Sequence, residues 1–168
     1  MKDVTVNKVS IKKDGKIVIA YELARADDKG TDENVSGSYD QALPEFYDAV
    51  KALVPDLLAC IESKDDADLY TVTGVTMKQV DMGDYNALGA VIVAQKKLAY
   101  CKAPLNIVTP WKVSEVGEHG DAACCLTREC LSHLDDLARE ATRYVHGERA
   151  QGDLFSEMAA EQLQEVEA

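Results

Sequence analysis

The dipeptide Asp14-Gly15 sits between two runs of strand-forming residues, and this commits the N-terminus to an antiparallel hairpin. Val4 to Lys12 is rich in β-branched residues, which pack well on a pleated surface. From Lys16 to Leu23 the chain alternates, so that Ile17, Ile19, Tyr21 and Leu23 fall on one face. A charged loop is expected over 25–33, followed by a short third strand from Val35 to Tyr39.

The hydrophobic period then changes from two to that of a helix. Leu43, Phe46, Tyr47, Val50, Leu53, Val54, Leu57, Leu58 and Ile61 form one apolar stripe, and Pro44 suits the first turn. Pro55 lacks the backbone donor a helix interior needs, so it kinks the helix or splits it in two. A polar loop over 63–68 leads to a second β unit, Leu69 to Val80 and Ala87 to Leu98, joined through Asp81-Met82-Gly83-Asp84. Residues 99–125 read as a long irregular stretch containing Pro104, Pro110, Gly117 and Gly120. The last helix runs from Arg128 to His146, with Thr127 as N-cap, Glu129 in the first turn and Gly147 as its stop.

These elements predict a single α+β domain at about 1–147, two small antiparallel β units packed on two helices, and a tail at 148–168. Aromatic residues are scarce, so the core is expected to be aliphatic. The tail carries six acids (Glu148, Asp153, Glu157, Glu161, Glu165, Glu167) against one base, Arg149.

Charge narrows the partners. The chain has 30 acidic and 18 basic residues, a net charge of −12. Counterion release on nucleic acid needs a basic face, so direct nucleic-acid binding is not expected. Anionic membranes repel such a chain, and no apolar run approaches the ~20 residues of a membrane span. Basic or neutral protein surfaces are the natural partners. Five cysteines, at 60, 101, 124, 125 and 130, form an odd set with an adjacent pair. Reduced thiols are the simplest account, and with no apolar h-region after Met1 the expected location is cytoplasmic.

No arrangement stands out as catalytic. His119, Cys124, Cys125, Cys130 and His133 lie close in sequence, and Cys130 and His133 are one helical turn apart. A minor enzyme or metal protein built on 119–133 is one reading. No C-x2-C knuckle is present, however, so neither a closed zinc site nor a cofactor is expected. Cysteine catalysis would need a histidine partner and an orienting group, and no family signature surrounds these thiols. Phosphate-cradling glycine loops and H-E-x-x-H are missing, and acids such as Asp81 and Asp84 read as solvated loop residues. The chain is therefore expected to be non-enzymatic.

One tail segment is more specific. Gln151-Gly152-Asp153-Leu154-Phe155 resembles the short peptide by which bacterial polymerases and repair proteins dock on the DNA polymerase sliding clamp. That pattern runs glutamine, leucine, serine or aspartate, leucine, phenylalanine. Four of the five positions match, and Gly152 departs from it. The resemblance implies that Leu154 and Phe155 enter a hydrophobic cleft on the clamp, and that the Gln151 amide fixes the register. The same two side chains could instead fold back as an anchor for the tail.

The last helix and tail, ending in 146–155, also resemble uncharacterised phage and prophage proteins carried near replication and recombination genes. More loosely, so do Gly74-Val75-Thr76 and Pro104-Leu105-Asn106. That likeness implies a setting and no mechanism. The expected function is a phage-type accessory of host DNA metabolism that binds the clamp through Gln151, Asp153, Leu154 and Phe155. The alternative is an acidic mimic of nucleic acid that blocks a DNA-binding or defence protein. The oligomeric state is left open.

Overall fold

Two hairpins, a polar third strand and two short strands are joined edge to edge into one seven-stranded antiparallel sheet, covered on one face by helices. The computed structural model describes residues 3–27, 29–115 and 125–150. Strands β1 (Val4–Ile11), β2 (Ile17–Ala24) and β3 (Thr31–Ser38) precede helices α1 (Pro44–Lys51) and α2 (Val54–Cys60). A single 3-10 turn then leads to β4 (Tyr70–Asp81), β5 (Asn86–Lys96), β6 (Leu105–Val108), β7 (Lys112–Val113) and α3 (Arg128–Val145). The order across the sheet is β3-β2-β1-β4-β5-β6, with β7 also paired to β5. The chain is α+β, as its periodicities predict.

The first hairpin forms where Asp14-Gly15 demands it. Gly15 takes a φ of 86°, and its N–H donates to the Lys12 carbonyl at 2.9 Å. Asp14 Oδ1 accepts from the Lys16 N–H at 3.1 Å, an aspartate closing its own turn. Alternation sends Ile17 and Ile19 fully into the core.

The two β units expected from the sequence are joined edge to edge, because β1 pairs with β4. Lys8, Val9 and Ser10 face Thr76, Val75 and Gly74. The close approach needs Gly74, since a Cβ there would lie 2.8 Å from the Val9 carbonyl oxygen. The third strand is also longer than expected and takes in Thr31, Asp32 and Glu33 from the supposed loop. It is an edge strand, and its polar sequence blunts that edge against pairing with other chains.

Within the stretch 99–125 read as irregular, residues 105–108 and 112–113 form strands, since β5 lends its edge to β6 and β7. Just after each of those short strands, a side chain continues the ladder. The Ile92 N–H donates to Thr109 Oγ1 at 2.9 Å, and the Leu88 N–H donates to Ser114 Oγ at 3.0 Å.

Pro55 splits the first helical stripe, giving α1 and α2. In α3, Thr127 accepts from the Cys130 N–H at 3.1 Å, and Gly147 takes the positive φ, 93°, that ends the helix. Phe46, Leu53, Leu57, Leu134, Leu137 and Tyr144 pack against the inner sheet face. The core is aliphatic except where Phe46, Tyr70 and Tyr144 enter it. Trp111 stays outside, 45% exposed. No helix among the described residues is long and apolar enough to cross a membrane.

Candidate functional site

Three places bear on function: the root of the C-terminal segment, the thiol and imidazole groups near α3, and a cleft between β1 and β4.

The domain holds the chain firmly up to Ala150. After the Gly147 stop, the Glu148 N–H donates to the Arg143 carbonyl, and the Glu148 carboxylate accepts from Arg143 Nε at 2.8 Å. Arg149 forms a bridge with Ala42, pairs with Asp40, and lies 4.4 Å from the centre of the Tyr144 ring. The Ala150 N–H donates to the Gln41 carbonyl at 3.0 Å. Gln151, Asp153, Leu154 and Phe155 follow directly and lie outside the described residues.

Of the cysteine and histidine grouping, Cys125, Cys130 and His133 fall among the described residues, and Cys125 and Cys130 line one small cavity with Cys60. His119 and Cys124 lie outside the described residues. Cys130 is buried beside Asp56 and Cys60 in the wall of a small cavity of about 140 Å³. Burial, with help from the Asp56 and Cys60 charges, pushes its thiol up to about 12, the opposite of what a nucleophile needs. His133 turns to α2, where its Nδ1 lies 2.7 Å from Asp56 Oδ2. Such a bond orients an imidazole, but among the described residues no nucleophile bonds its other nitrogen. No group of three or more metal-ligating side chains occurs among the described residues.

The cleft arises from strand divergence. β4 pairs with β5 from Tyr70 to Asp81, whereas β1 pairs with β4 only over Lys8 to Ser10. A register irregularity in the β4–β5 ladder falls between Val72 and Gly74, beside the point where β1 ends at Ile11. Over Tyr70–Thr73 the β1-facing edge of β4 therefore has no strand partner among the described residues. The opening holds about 690 Å³. Val50, Val54, Val72 and Val93 give it an apolar lining, with Tyr47 and Tyr70 at its walls.

Its polar rim is basic. Lys12, Lys13 and Lys51 line the cleft and no acid does, in a chain that carries 30 acids. None of the three lysines is ion-paired among the described residues. Tyr70 is held by a polar cluster: its hydroxyl donates to Asp65 Oδ2 at 2.7 Å, and the same oxygen accepts from Lys96 Nζ. Lys96 and Tyr70 together hold the Asp65 carboxyl at about 2.

The sequence reading missed this cleft. Two signals pointed to it: Lys12-Lys13 in an acidic chain, and Gly74 inside a strand. Comparison with protein-family models, with curated proteins and with solved structures finds no match.

Proposed function

We propose that the chain is a non-catalytic accessory of bacterial DNA metabolism, of the kind phages carry. In this reading Gln151, Asp153, Leu154 and Phe155 dock on the DNA polymerase sliding clamp. One observation supports it above the others: Arg149 and Ala150 are pinned to the domain immediately before Gln151. A linear docking peptide works best when a folded domain launches it from a fixed point.

The energetics are adequate. Burying Leu154 and Phe155 contributes ~1.5–3 kcal/mol each. A micromolar complex needs ~8 kcal/mol, so Gln151 and backbone contacts supply the rest. A net charge of −12 favours acting on DNA through a protein rather than by direct contact. The reading places the chain in the bacterial cytoplasm, where thiols stay reduced.

The test is calorimetric titration of the full chain into purified bacterial sliding clamp. Micromolar binding that is lost in the Leu154→Ala/Phe155→Ala double variant supports docking. Equal binding by both chains, or none by either, removes it.

A further inference from the structure

The cleft between β1 and β4 combines three properties that together define a peptide groove. Among the described residues it has a strand edge without a partner over Tyr70–Thr73, an apolar lining, and a rim of three lysines with no acid. An unpaired edge offers backbone N–H and C=O groups to an incoming extended chain. The apolar lining takes side chains that alternate along it. Uncompensated lysines favour a peptide carrying carboxylates.

We propose that the occupant is the chain's own segment at residues 152–157, Gly-Asp-Leu-Phe-Ser-Glu. Three arguments select it. The first is composition: Leu154 and Phe155 are flanked by Asp153 and Glu157, an apolar pair between two carboxylates. Beyond Ala150 the chain carries five acids and no base, so it is attracted to the lysine rim and not to the acidic remainder of the domain.

The second is position. The Ala150 N–H bonds to Gln41, and the next residue, Ala42, donates to the hydroxyl of Tyr47 at 3.3 Å. Tyr47 is itself a wall of the cleft. The segment therefore leaves the domain beside the groove.

The third is reach. α1 runs from this exit point to Lys51, and its eight residues span about 12 Å. Five extended residues, Gln151 to Phe155, cover about 17 Å. Leu154 and Phe155 can thus be laid along the groove without moving the domain. Docked in this way they are hidden from any other protein. Intramolecular docking and partner binding through the same side chains compete, and the cleft acts as a resting place for the motif.

Zero-length carbodiimide coupling tests this on the full chain without any partner present. An equimolar mixture of ¹⁵N-labelled and unlabelled protein is coupled in physiological salt, and linked peptides are identified by mass spectrometry. The expected result is Asp153 or Glu157 joined to Lys12, Lys13 or Lys51, with both peptides of each link carrying the same isotope. Leu154→Ala with Phe155→Ala should lower the yield of these links about tenfold, the factor that follows from losing one decade of docking constant. Three outcomes overturn the proposal: links to Lys29, Lys64 and Lys78 as frequent as those to the cleft lysines, links of mixed isotope, or a yield unchanged by the double variant. Because no clamp is present, failure here leaves the clamp reading intact, and failure of clamp binding leaves this result intact.

Discussion

The indole of Trp111 lies against Gly89 so closely that a Cβ on residue 89 would fall 1.9 Å from ring atom Cζ2. Gly89 sits in β5 and pairs with β7 at Val113, so the ring folds back over the strand that its own segment joins. Gly89→Ala should push the ring outward, since the ring is already 45% exposed and has solvent to move into. The expected cost is about 1–3 kcal/mol. Trp111 is the only tryptophan, so its emission reports the move directly: a red shift with stronger iodide quenching is expected. An unchanged emission maximum would show that the contact is not held in solution.

A second prediction concerns the tie between α2 and α3. Asp56 is buried, its side chain 7% exposed, while its partner His133 is 31% exposed. His133→Ala leaves the carboxylate inside without that hydrogen bond, which should cost about 1–3 kcal/mol. Asp56→Ala combined with His133→Ala should cost less than the sum of the two single changes, because no unpaired charge remains. Urea unfolding of the four proteins measures the coupling. Strict additivity would contradict a direct bond.

The pH dependence of stability should carry the signature of Asp65. Its carboxyl is held at about 2, below the ordinary 3.8, first by the Lys96 ammonium and then by the Tyr70 hydroxyl. A folded value below the unfolded one means the stabilisation is present above about pH 4 and is lost as pH falls toward 2. Asp65→Asn removes this contribution. The gap in melting temperature between wild type and variant should therefore be widest at pH 5 and should narrow toward pH 2. A gap constant with pH would contradict the assignment.

Much of the fold was legible because it is local. Asp14-Gly15 closes its own turn, Pro55 divides its own helix, and Thr127 caps its own first turn. Each depends on residues a few positions apart, and the chemistry of each is specific. The merging of the hairpins was not legible, because residues 8–10 meet residues 74–76 across most of the domain and no local pattern encodes that meeting. Strand β3 was under-read for a related reason: an edge strand needs only one neighbour, so Asp32, Glu33 and Asn34 can replace the expected alternation of apolar residues. The cleft follows from the non-local pairing. It exists because β1 stops pairing at Ser10 while β4 begins at Tyr70, and Lys51 joins the rim only through the packing of α1. The segment proposed to dock was legible as a string, while the pinning of Arg149 and Ala150 just before it depends on Asp40 and Gln41, far back in the chain.

In the proposed function residues 151–155 form a clamp ligand, and the departure at Gly152 gives the most direct measurement of it. Gly152→Leu restores the residue preferred in the clamp-binding pattern and adds apolar surface for burial. Partial burial of a leucine corresponds to about tenfold in affinity. Titration of purified bacterial sliding clamp with the wild type, Gly152→Leu, and Leu154→Ala/Phe155→Ala chains should rank them in one order. Gly152→Leu should bind about tenfold more tightly than wild type, and the double variant should not bind measurably. Identical affinities across the three chains, or no affinity in any of them, would contradict the account.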